Sequence, residues 1–194
     1  MPNQATRWVA VGRLQGAFGV HGEAKVLPLP LPIARLLPDP DPHWELKADW
    51  LLSQPTWWMG RTTPPDLTAR IIASRMHDRA FLVRIAGYEN REQLQTMAGM
   101  LVWWPDNRLP DPGKDRHFWV HLIGMQVLAS QDDHPENGFK EIGVVEELLA
   151  TGSNDVLVVC ARDGTERLLP FIRDTILRVD AQEQQMHVRL MPGL

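Results

Sequence analysis

The sequence predicts an all-β chain of two small β-barrel domains joined by a short linker, with one short helix near the end of the first domain. Three observations predict it. Short apolar runs recur along the chain, cut by Gly, Pro, Asn and Asp turn signals. Helical spacing of apolar residues is confined to one segment, E-N-R-E-Q-L-Q-T-M-A-G. Residues 105–116, P-D-N-R-L-P-D-P-G-K-D-R, hold three prolines, one glycine and six charges, a linker composition. The resulting division is 1–104, a linker at 105–116, and 117–194.

The first domain opens with a strand at about Trp8–Leu14 and another at about Glu23–Leu29. Between them, V-G-R-L-Q-G-A-F-G-V-H-G-E-A-K-V brings four glycines into sixteen residues. Glycine accepts positive φ and lets another backbone approach, so the cluster marks a shaped turn between paired strands. Six prolines between positions 28 and 42 then predict an irregular connection with one helical turn at Ile33–Leu37. D-W-L-L-S resumes strand character, and W-W-M-G pairs with it across Gln54–Thr56. Thr68–His77 and Ala80–Ile85 form a hairpin. Asn90 is placed as the N-cap of the helix, Leu94, Met97 and Ala98 as its apolar face, and Gly99 as its C-terminal glycine. M-L-V-W-W closes the domain.

Beyond the linker, strands recur at Gly124–Leu128, Ile142–Leu149, Val156–Cys160, Arg167–Leu169 and His187–Leu190. The turn signals D-D-H-P-E-N-G, T-G-S-N-D and R-D-G-T separate them. Short strands at this spacing indicate a second small barrel.

Composition narrows the function classes. A hydrophobic fraction of 44% is ample for packed cores. Eight tryptophans stand against one tyrosine, and Trp44, Trp50, Trp57, Trp58 and Trp103 lie in or beside strands where large rings fill a barrel. The single Cys160, in V-L-V-V-C, rules out an internal disulfide and reads as a buried small residue of a reducing compartment. No apolar run has membrane-span length and no signal-peptide layout is present, so a cytoplasmic protein without a membrane association is expected.

Formal charge is divided unevenly. Residues 1–116 carry 14 basic and 12 acidic side chains, net +2; residues 117–194 carry 6 and 12, net −6. The acidic half cannot neutralise phosphates. It suits a basic protein partner, because complementary fields speed encounter and reject wrong partners.

The glycine loop is either a phosphate cradle or a binding surface presented by a barrel. Its spacing fits neither G-x-x-x-x-G-K-[ST] nor G-x-G-x-x-G, and no helix is predicted to begin there. The exposed tip Phe18-Gly19-Val20-His21-Gly22 favours the surface. His117 and His121 share an i, i+4 spacing without further ligands, and G-x-S-x-G is absent, so no metal, cofactor or catalytic chemistry is expected. H-F-W-V-H-L-I-G places His117, Phe118 and Trp119 at the entrance to the second domain, either as core or as interface anchors.

The motifs together resemble the RimM family of bacterial ribosome maturation factors. Resemblance is carried by the glycine loop and by I-A-G-Y-E-N-R-E-Q-L-Q-T-M-A-G-M-L-V. After the linker it continues through H-L-I-G-M-Q-V, T-G-S-N-D-V-L-V-V, L-L-P-F-I and V-D, spanning nearly the whole chain. It implies a translation-factor-like barrel followed by a PRC barrel, and a non-catalytic, monomeric assembly factor of the small ribosomal subunit. Implied partners are the subunit precursor and a basic ribosomal protein of the subunit head, the one numbered nineteen, with ribosomal RNA as a second contact and rRNA processing aided. His117, Phe118 and Trp119 would bind protein; Arg13, Gly16, Phe18, Gly19, His21, Gly22 and Lys25 would face the ribosome.

The chain departs from the family where paired tyrosines are common. His117 and Phe118 stand there, Trp119 matches the following aromatic, and His121 replaces an aspartate. Two other readings remain open on sequence: a flavin-reductase-like barrel enzyme, and a PRC-type interaction module with a non-ribosomal partner.

Overall fold

The structure is a computed structural model that describes residues 6–36, 48–130, 138–152 and 154–190. They are mostly strands and fall into two units, residues 6–31 with 48–111, and residues 32–36 with 112–190. Trp44, Leu37, most of D-D-H-P-E-N-G and Ser153 lie outside the described residues.

In the first unit, β1 (Trp8–Phe18), β2 (Glu23–Pro28), β4 (Thr56–Gly60), β5 (Leu67–His77), β6 (Ala80–Ile85) and β7 (Leu101–Pro105) close into a barrel of order β1-β2-β6-β5-β4-β7. Closure leaves no edge to pair with another chain. Period-two alternation fills the interior: Val11, Leu14, Ala24, Val26, Trp57, Met59, Val102 and Trp104 are all buried. β1 bends through bulges at Ala10/Gly12 and Leu14/Gly16. At Gly12 a Cβ would lie 3.1 Å from Val26 Cγ1, so the turn-rich opening is also a close crossing inside the wall.

D-W-L-L-S is a helix, α1 (Ala48–Leu52), not the expected strand. Its carbonyls are held from outside: the Trp57 indole N–H donates to Leu51 O at 3.2 Å, and Ser74 Oγ donates to Leu52 O at 2.8 Å. W-W-M-G therefore pairs with β5 and β7 instead. Trp50, Trp104, Trp58 and Trp8 form a chain of tilted rings with successive centroids 4.9, 5.0 and 5.6 Å apart.

The second helix, α2 (Arg91–Thr96), seats Leu94 and Met97 in the barrel core. Asn90 Oδ1 accepts from the Gln93 amide at 2.8 Å, and Gln93 Oε1 accepts from the Asn90 amide at 3.3 Å. This reciprocal cap satisfies two otherwise orphaned donors. Asn90→Ala is expected to cost about 1 kcal/mol, read as a lower unfolding midpoint of this unit. Gly99 (φ 83°) ends the segment, its amide donating to Leu14 O at 2.7 Å.

The second unit contains β3 (Ile33–Arg35), β8 (Arg116–Phe118), α3 (Trp119–Leu122), β9 (Gln126–Ser130), β10 (Phe139–Ala150), β11 (Asp155–Cys160), β12 (Glu166–Pro170), β13 (Ile176–Asp180) and β14 (Gln185–Val188). Six strands form one barrel-like sheet in the order β12-β11-β10-β9-β14-β13 around a core that includes Val127, Val145, Leu157, Leu169, Phe171 and Met186. The β9–β14 pair is parallel, the rest antiparallel. β3 and β8 pair separately, so Ile33–Arg35 is a strand and not a helical turn. Residues 105–116 are only in part a connection, since Pro105 ends β7, Asp106–Arg108 is a 3-10 turn, and Arg116 begins β8. At the R-D-G-T turn Asp163 Oδ1 accepts from the Thr165 amide at 2.9 Å, which holds its carboxyl below the usual range.

Candidate functional site

The glycine loop is the outer end of the β1–β2 hairpin. β1 runs on through Gly16 (φ 122°) to Phe18, beyond the expected end at Leu14. Gly22 (φ 68°) passes so close to the neighbouring backbone that a Cβ would sit 2.6 Å from Glu89 O. Gly19 (φ 62°) needs glycine for its dihedral alone, having open space around it. The tip carries Val20, 88% exposed, and an exposed His21. Arg13 is exposed and Lys25 half-buried.

The loop does not stand by itself. The Phe18 ring meets His77 of β5 at 4.9 Å. Arg75 donates to both Glu23 oxygens at 3.0 and 2.8 Å, and this guanidinium holds the Glu23 carboxyl below its ordinary pKa. Ile72, Arg84, Tyr88, Glu89, His21 and Gly22 line a shallow hollow beside the tip. Ile72 is 52% exposed, with the exposed guanidinium side chains of Arg70 and Arg84 on the same strand pair, while Arg75 is held by Glu23 and Met76, 44% exposed, lies on the row of Phe81. Cations around exposed apolar side chains suit an anionic polymer with unstacked apolar faces, or an acidic protein surface.

Ile72, Met76 and Arg84 were not among the sequence-predicted residues. The signal was L-T-A-R-I-I-A-S-R-M-H, an arginine-rich strand with two adjacent isoleucines. A bulge between Ile71 and Ala73 puts Ile71 against the barrel core and leaves Ile72 outside.

At the second predicted site the three ring-bearing residues part company. Phe118 is 1% exposed, with its ring 5.6 Å from His121, and alternation along β8 puts it on the face away from the Ala34–His117 row, the row that reaches the second core. Phe118 is thus enclosed and not an open anchor, standing opposite the equally buried Ile33 in the β3–β8 pair. His117 is half-buried, 5.9 Å from the Phe171 ring. Trp119 begins α3, its amide donating to Pro32 O at 3.0 Å. Its indole packs against the second core with Nε1 enclosed and unbonded. His121 lies on α3 and His117 on β8, so the pair does not share a helical face.

Among the described residues no helix is long and apolar enough to cross a membrane. Comparison with known proteins gives one family over both units. The family described as RimM N-terminal domain matches residues 9–109, and that described as RimM PRC barrel domain matches residues 119–194. A ribosome maturation factor RimM of Magnetococcus marinus is 33% identical, with 97% of this chain and 96% of the relative covered. One from Pseudomonas aeruginosa is 29% identical, with 97% of each chain covered. A solved RimM structure from Pseudomonas aeruginosa is 26% identical, covering 97% of this chain and 100% of that one, at a TM-score of 0.42. With a matching family over each unit and a relative aligned along nearly its whole length, the chain belongs to the RimM family.

Proposed function

We propose that this protein is a non-catalytic, cytoplasmic assembly factor of the small ribosomal subunit. The relatives' shared name, ribosome maturation factor, supports the reading. The observation that carries it is the division of charge: residues 117–194 are net −6, while residues 1–116 are net +2 and the first unit displays Arg84 beside the exposed Ile72 at the barrel tip. On this reading the acidic unit captures a basic ribosomal protein of the subunit head, the one numbered nineteen, with His117 and Trp119 contributing. The barrel tip, with Phe18 and His21 joined by Arg84 and Ile72, meets ribosomal RNA, and Lys25 and Arg13 extend that surface down the β1–β2 wall. Gly16, Gly19 and Gly22 set the backbone shape of that tip.

Such a factor works by binding an immature head better than the finished one. Only that difference in affinity can shift the assembly equilibrium and then release the factor. The test is co-sedimentation of the full chain with precursor and mature small subunits. Retention at least tenfold stronger on the precursor is the expected result. Equal retention on both particles, or none on either, overturns the proposal. Arg84→Glu is expected to weaken retention on the precursor and flatten its salt dependence, with the affinity for the isolated ribosomal protein unchanged.

A further inference from the structure

β10, β11 and β12 turn one face to the second core and the other outward. Residues opposite one another in an antiparallel ladder share a face. In the register of β10, β11 and β12, the rows Val145–Val159 and Leu148–Leu157–Leu169 supply core residues. The alternate rows Val144–Cys160–Glu166, Glu147–Val158–Leu168 and Leu149–Val156–Pro170 therefore lie on the other side. On that side Leu168 is 53%, Val144 41% and Leu149 39% exposed.

Carboxylates frame these side chains. A bulge between Val145 and Glu147 inserts Glu146 as an extra residue, leaving two successive glutamates exposed beside Val158. Glu166 is exposed at the far end of the Val144 row. Burial, followed by the negative field of Glu146 and Glu166, pushes the Cys160 thiol up, consistent with both acids lying over this face. The neighbouring cations are otherwise engaged: Arg162 is 3.2 Å from Glu141, and Arg167 stands opposite Val159 on the inward row. β12 also forms one end of its sheet, with no strand beyond it among the described residues.

We infer that the acid-framed apolar stripe Val144–Leu149–Leu168 on the outer face of β10–β12 is a docking surface for a basic protein that brings apolar side chains to the contact. The carboxylates exclude a nucleic-acid occupant. They also oppose a second copy of this chain, because face-to-face pairing would set Glu146, Glu147 and Glu166 against their own counterparts. Exposed apolar side chains ringed by charge supply the short-range attraction, and the acids supply steering and partner choice. The inference deepens the reading that the second unit captures a basic ribosomal protein, and it rests on that reading.

The test uses the full chain and the purified basic ribosomal protein numbered nineteen, in a titration at low and moderate salt. Val144→Thr with Leu168→Thr places strand-favouring β-branched side chains at both positions, and Glu147→Lys with Glu166→Lys reverses the frame. Each pair is expected to weaken binding tenfold or more, at an unchanged thermal midpoint. The charge pair should act mainly through the association rate and flatten its salt dependence. Binding by the wild type that neither pair weakens overturns this surface and leaves the parent reading standing. No binding by the wild type overturns both. A concentration-dependent dimer of the chain by itself, abolished by Leu168→Thr, would assign the face to a second copy and overturn the inference.

Discussion

Phe118→Ala is expected to destabilise the second unit by about 3–5 kcal/mol, the range for emptying a buried aromatic site. Phe118 is among the largest fully buried side chains of the described residues. It joins β3 to β8, which share three residue pairs, and supplies the apolar member opposite Ile33. Truncation leaves a cavity under a ladder too short to collapse around it. Amide exchange should show lost protection at Ala34 and His117 first, while amides of β1, β2 and β6, in a separate core, keep theirs. Phe118→Leu should recover most of the loss, as a substitution that conserves much of the volume. Full protection in Phe118→Ala, together with lost capture of the basic partner, would restore the anchor role that the buried geometry removes.

Legibility in the sequence followed the range of the interactions. The α2 cap was readable because Asn90 and Gln93 are three residues apart and their reciprocal bonds are local. The β5–β6 hairpin and the R-D-G-T turn were readable for the same reason. D-W-L-L-S was misread because five residues are too few to show a helical period, while the donors that hold it as a helix come from Trp57 and Ser74. Ile33–Arg35 was misread because its partner β8 lies more than eighty residues away. β13 passed unnoticed because its single ladder, with β14, is interrupted between Ile176 and Arg178.

The candidate site divides along the same line. The glycines of the β1–β2 tip are legible because positive φ requires that residue type. Ile72 and Glu146 are not, because each owes its exposure to a bulge that shifts the alternation by one residue. A period-two reading carried across a bulge assigns every following side chain to the wrong face. The side chains of His117, Phe118 and Trp119 do not share one surface for a related reason: a strand ends and a helix begins inside the run.

Gly143→Ala is expected to disrupt the second unit by about 2–5 kcal/mol, combining positive-φ strain with overpacking. Gly143 lies in β10 with φ 151°, where the strand bulges against β9 between Glu141 and Gly143. A methyl group there would fall onto the carbonyl of Cys160 in β11, with the Ala161 amide nitrogen only 3.0 Å away. Both obstacles are backbone, so no side-chain rotation relieves the clash and the β10–β11 ladder must open. Gly164→Ala is the control: φ there is 84°, with nothing within 4 Å of an added Cβ. It should lose only the conformational term, about 1 kcal/mol. Exchange at the amides of Val144, Val145 and Cys160 should separate the two variants, rising steeply in Gly143→Ala and little in Gly164→Ala. Because Val144 and Cys160 form one row of the acid-framed stripe, Gly143→Ala should also weaken capture of the basic partner without any change to a side chain on that face. Equal destabilisation by the two alanines would mean that the backbones can separate at Gly143 without penalty, and that the close crossing of β10 and β11 does not hold the stripe in place.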